Sequence, residues 1–250
     1  MGRAGKLAVL LLGAAAVFVA GVQVGQRQAR PAQREPAVAS RQDVPPAARP
    51  VAAAPALPAR PAAARPPHPF PDVPQSRQGM VGETEPFGGD SPEEAEWLDR
   101  HGYPNARQWR RYVTATDLQL EQAAAAGDGV ARTLLDARRL RTDPQAETRL
   151  LVAGADGNLF ALNQLVAFKA SRRDQMAEAY ALSRVVEMRG DLMQSLSRPV
   201  MIFGLSDSER LLAEAEALSL NHQLNELYRQ KYGVAPPPVQ QRPYQVDEEG

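Results

Sequence analysis

The stretch AAAGDGVARTLL at residues 124–135 returns thirty positions later as GADGNLFALNQL at residues 154–165, and this recurrence decides how the chain is read. Each copy holds a glycine, Gly127 or Gly157, followed at once by Asp128 or Asn158. Such a glycine ends one helix in the left-handed conformation, and the next side chain caps the helix that follows. Gly190-Asp191 repeats the device 33 residues further on. Superposing the copies puts Ala131 over Ala161 and Leu135 over Leu165, while Ala146 and Ala179 each fall eleven residues before the next glycine. Small residues at one phase let two helix axes approach, and a leucine one turn on fills the groove beside them. The expected fold is all-α, a short α-solenoid of antiparallel helix pairs over residues 91–233.

Punctuation on either side fits. Ser91-Pro92-Glu93-Glu94 sets an N-cap serine, proline at the first helical position and a capping-box glutamate in register, so a helix is expected from 92. It should stop near Gly102, and Asn105 should cap a second, short helix bearing Trp109 and Tyr112, with Trp97 and Trp109 packed together as a lid. Further breaks are expected at Asp143-Pro144, Ser171 to Asp174 and Ser206 to Glu209, and no β-alternating run appears. A last long helix, with Leu220, Leu224 and Leu227 on one stripe, should end at Gly233, since Pro236 to Pro238 forbid continuation. Residues 234–250 read as a disordered tail.

Ala124, Gly127, Ala131 and Leu135 resemble the pattern of the Sel-one-like repeat family, a relative of the tetratricopeptide repeat. The next unit offers Gly154, Gly157, Ala161 and Leu165. The third keeps Gly190 but has Gln194 and Arg198 where alanine and leucine belong, and the family's glycine-rich turn within each repeat is missing. The resemblance covers about residues 117–190, with a degenerate continuation to about 204. It implies a right-handed stack of helix pairs that serves as a protein-binding scaffold, without catalysis.

Ahead of this region the composition changes. Residues 31–86 carry fourteen of the 22 prolines, interleaved with Ala, Arg and Gln, so 26–90 read as a disordered linker that cannot bury enough surface to offset its conformational entropy. Residues 27–80 hold eight arginines against three acids, although the whole chain has zero net charge. Before the linker, and after a short tail at 1–6, Leu7 to Val24 is apolar apart from Gln23 and long enough, at roughly 27 Å of helix, to cross a bilayer. A transmembrane signal anchor at 7–25 is expected, holding the rest of the chain in the periplasm. Secretion after cleavage at Gly21, with Val19 upstream, is the competing reading.

Chemistry is sparse. Absence of cysteine excludes disulfides and thiolate metal sites. The three histidines, His68, His101 and His222, make no metal-spaced set, so neither metal nor cofactor is expected. Asp99 is placed to orient His101, but a histidine near a helix C-terminus already suits the helix dipole. No nucleophile elbow or phosphate-cradling loop occurs, so no enzyme activity is expected. Over 91–233, twenty acids balance eighteen bases, which leaves no nucleic-acid footprint. Arg139 and Lys169, each twelve residues after a repeat glycine, are the candidate partner-binding residues. The expected function is a membrane-tethered scaffold gripping a protein partner in the cell envelope. The alternatives are a structural element whose basic tether associates with anionic wall or membrane polymers, and a hydrolase or transferase without recognisable motifs.

Overall fold

Nine α-helices and two short 3-10 segments run through the described residues, 65–77 and 87–243, of the computed structural model. In chain order they are α1 (Pro92–Arg100), α2 (Ala106–Thr114), α3 (Asp117–Ala125), α4 (Gly129–Arg139), α5 (Ala146–Ala155), α6 (Leu159–Ala170), α7 (Met176–Met188), α8 (Arg198–Ile202) and α9 (Asp207–Tyr232). The 3-10 segments are Arg173–Gln175 and Leu192–Ser197. Among the described residues there is no strand, and no helix is long and apolar enough to cross a membrane. The tail at 1–6, the anchor expected at 7–25 and the linker as far as residue 64 lie outside the described residues.

The helix boundaries follow local chemistry. Ser91, Asn105, Thr116, Asp128, Asn158 and Ser206 each accept a bond from the backbone N–H three residues on. Gly102, Gly127, Gly157, Gly190 and Gly233 all take positive φ, the left-handed conformation that closes a helix at least cost in glycine. Successive helices pack on one another from α3 through α7, and α9 returns against α7 and α5. The residues at equivalent repeat phases, Ala131 and Ala161, Leu135 and Leu165, Ala146 and Ala179, are all buried in this one core.

Where the third unit departs from the pattern, so does its backbone. Instead of a helix matching α4 and α6, Asp191 caps the 3-10 segment Leu192–Ser197, and the five-residue α8 follows. Gln194 stands where Ala131 and Ala161 are fully buried and is only half-buried, so the small residue that lets helix axes approach in the first two units is missing from the third.

Three expectations are corrected. The linker does not extend to 90, since residues 65–77 lie on the helical body. Phe70 and Val73 are buried there, and the Arg77 guanidinium bonds the carbonyls of Tyr103, Pro104 and Phe87 and the Asp99 carboxylate. Likewise the tail does not begin at 234, because residues 240–242 hydrogen-bond to the body. Both segments are held by single anchoring side chains instead of by a periodic face, which is why composition hid them. Nor do the tryptophans stack on each other: Trp97 stacks on His101 at 4.0 Å between centroids, and Trp109 meets Phe87 edge-on at 5.3 Å.

Candidate functional site

Arg139 and Lys169 occupy equivalent places, and both are spent on internal ion pairs. Arg139 reaches Glu121 and Asp117 on α3. Lys169 reaches Glu147 on α5 at 3.0 Å and Glu178 on α7 at 2.6 Å. Asp117 and Glu147 stand ten residues before Gly127 and Gly157, so these two pairs share one offset in sequence, although Arg139 also bonds Glu121 and Lys169 also bonds Glu178. Burial alone would lower the Lys169 ammonium, but the bonds to Glu178 and Glu147 outweigh it and hold the group above its ordinary range. With 7% of its surface exposed, Lys169 ties helices together and offers little to a ligand. Arg139 is more open and lines a shallow, mixed-charge groove with Glu121, Arg132, Asp136 and Arg149.

A denser polar constellation gathers at the third junction, where Gly190 closes α7. Asp191 and Glu94, 2% and 3% exposed at their side chains, approach from opposite ends of the sequence order. Arg242 enters between them, with Nε 2.7 Å from Glu94 Oε1 and Nη1 3.5 Å from Asp191 Oδ1. Its guanidinium lies 5.9 Å from the centroid of Trp97. Asp191 Oδ2 accepts the Tyr103 hydroxyl, which in turn accepts the Asn163 amide. Burial and the negative charge of Asp191 push the Tyr103 phenol well above its ordinary range, so it stays protonated and donates. Glu94 departs from the expected capping box. Its Oε2 accepts from the Asp90 amide and Oε1 faces Arg242, so only the Ser91 half of the box forms.

His101 is the titratable neighbour of this cluster. Its Nδ1 lies 2.7 Å from the Trp97 carbonyl, and burial lowers its pKa more than that bond raises it. The expected orienting partner, Asp99, is bound by Arg77 through both backbone and guanidinium. His68 lies 3.3 Å from Asp128, whose same oxygen accepts the Tyr112 hydroxyl. His222 is exposed on α9. Among the described residues no group of His, Cys, Asp or Glu is arranged to hold a metal ion.

The remaining surface feature is apolar. On α9, Ala213, Ala217 and Leu224 are buried, while Leu211 and Leu218, one helical stripe on another side, are 73% and 65% exposed. Phe203, just ahead of α9, is 95% exposed, with Val200 and Leu196 also open. Of the stripe expected on α9, Leu224 is buried, Leu220 is partly buried and Leu227 is 37% exposed, whereas the spacing of Leu211 and Leu218 marks a second, open stripe. No family model, curated protein or solved structure matches the chain.

Proposed function

We propose that the chain is a protein-binding scaffold, a short α-solenoid of helix pairs held at the inner membrane by residues 7–25, with its helical part in the periplasm. The observation that carries the reading is the second apolar face of α9. Leu211 and Leu218 are exposed opposite a helix already committed to the core through Ala213, Ala217 and Leu224. Solvent-facing apolar side chains in a group suit a partner surface.

Repetition supports the solenoid. Three Gly-Asx junctions share left-handed glycines and capping side chains, the first two also share the small buried residues Ala131 and Ala161, and the Arg139 and Lys169 ion pairs recur at the same offset. Units of this kind need neighbours on both sides to bury their faces. The third unit is incomplete, and the open apolar residues Leu196, Val200 and Phe203 belong to it.

Photo-reactive residues placed at Phe203, Leu211 and Leu218 in intact cells test the proposal. Discrete cross-linked species are expected at these positions and not at the exposed control Arg107. No cross-link at any of the three rejects the scaffold. A reporter enzyme active only outside the periplasm, fused at the C-terminus, should be silent.

A further inference from the structure

We infer that the groove formed by Glu94, Trp97, Gly190 and Asp191 is a binding site for an extended segment of a partner protein carrying arginine followed by proline, a site that residues 240–243 of the chain occupy in cis. This names the ligand chemistry for the scaffold reading and rests on it.

The groove has the parts of a guanidinium pocket. Two carboxylates buried this deeply are costly unless a cation meets them. Arg242 supplies that cation, donating to Glu94 at 2.7 Å, with Asp191 at 3.5 Å and the Trp97 ring on a third side. Both acids are fixed by other donors, the Asp90 amide on Glu94 and the Tyr103 hydroxyl on Asp191, so the pocket is built by the helical body and not by the segment in it.

Beside the pocket, recognition passes to main chain. The Arg242 amide donates to the Gly190 carbonyl at 2.8 Å, and Trp97 Nε1 donates to the Gln240 carbonyl at 3.0 Å. Bonds at alternate residues of an extended strand are available from any peptide, because they read backbone. Gly190 makes the approach possible, since a Cβ there would lie 2.3 Å from the Gln240 carbonyl oxygen.

The occupying segment, a C-terminal strap, is held like an exchangeable ligand. Val239, Gln240 and Gln241 are exposed, and Arg242 is the side chain that enters. Pro236, Pro237 and Pro238 connect it to α9, which favours an extended chain at little entropic cost. Pro243 then biases the backbone of Arg242 itself toward the extended conformation.

A labelled peptide of residues 237–243 (PPVQQRP) is titrated into full-length chain, wild type and R242A, in detergent. R242A is expected to bind it at least tenfold more tightly than wild type. Replacing the peptide's arginine with alanine, or adding E94Q to the protein, should weaken binding at least tenfold, and raising salt should weaken it further. The proposal is overturned if R242A keeps its helical circular dichroism yet binds the arginine and alanine peptides alike. It is overturned equally if R242A loses that signal, since the arginine would then be a structural tie. A peptide of residues 57–63 (LPARPAA) must bind no better than the strap peptide; tighter binding would assign the groove to the chain's own N-terminal segment. Cross-links at Phe203 or Leu211 that persist when the peptide fails leave the scaffold reading standing.

Discussion

Gly157 and Gly190 hold the same left-handed backbone, φ +98° and +110°, in different surroundings. A Cβ on Gly157 meets nothing within 4 Å, whereas one on Gly190 meets the Gln240 carbonyl. Gly157→Ala should therefore cost only the conformational penalty, about 1–2 kcal/mol, and Gly190→Ala should cost more while also freeing the C-terminal strap. Urea denaturation gives the ranking, and protease cleavage near residue 240 reports the strap; equal costs would mean that the strap's approach to Gly190 has no energetic weight. His101 makes a second prediction at this scale. Because burial lowers its folded pKa below the unfolded value, the unfolded chain binds the extra proton as pH falls through about 6.5. Stability should be full above that pH and decline below it until the folded pKa is reached, a window separate from the carboxylates Asp143, Glu209 and Glu214, whose lowered values act at lower pH. Thermal melts of His101→Gln across pH 5–7.5 should be flatter than wild type. Neither feature was legible beforehand, since the sequence shows a left-handed glycine but not what lies over it.

Helices are the scale at which sequence served best, because caps and stops are local. Every break expected from Gly127 to Gly190 follows the end of a helix, Ser206 caps the start of α9 and Gly233 closes it. The Thr116 capping box with Gln119, which starts α3, was equally local and was passed over, because no glycine or proline announces it. Equivalence of Arg139 and Lys169 was readable, but their acids were not, since Glu147 and Asp117 lie 22 residues upstream across a helix turn. Burial separates the two cations. Lys169→Ala should destabilise by about 1–2 kcal/mol, less than a fully buried pair because Glu147 and Glu178 keep partial access to water. Arg139→Ala should cost under about 0.5 kcal/mol, as exposed pairs do. Gly154 sets helix propensity against packing. Alanine gains about 1 kcal/mol inside a helix, yet its Cβ would lie 2.3 Å from Leu162 Cδ2 in a fully buried position. Overpacking costs about 1–3 kcal/mol, so Gly154→Ala should be net destabilising and Leu162→Val should recover part of the loss. A stabilised Gly154→Ala would show that Leu162 moves aside freely.

Across the whole molecule, long-range ties decide where the folded body begins, and these were illegible in a proline-rich stretch. Phe70 and Val73 are lone apolar residues with no helical or strand period, yet Phe70 packs on Tyr112 with centroids 5.5 Å apart and under the Arg111 guanidinium. Arg77 reads as one more basic linker residue, yet it is 3% exposed and bridges Asp99 to the Tyr103 and Pro104 carbonyls of the α1–α2 turn and to the Phe87 carbonyl ahead of α1. A chain that starts at residue 87, near the boundary that capping signals favour, would expose the Tyr112 and Asp128 face and leave those carbonyls without their donor. Burying Phe70 and Val73 is worth about 1.5–3 kcal/mol each, so removal of 65–77 should cost at least about 3 kcal/mol. For a body of this size that corresponds to a fall in melting temperature of roughly 6–12 °C. Comparing thermal unfolding of chains that begin at residues 65 and 87 measures it directly. Coincident melts would mean that the segment rests on the body without stabilising it, and the sequence-based boundary at 91 would then stand for folding.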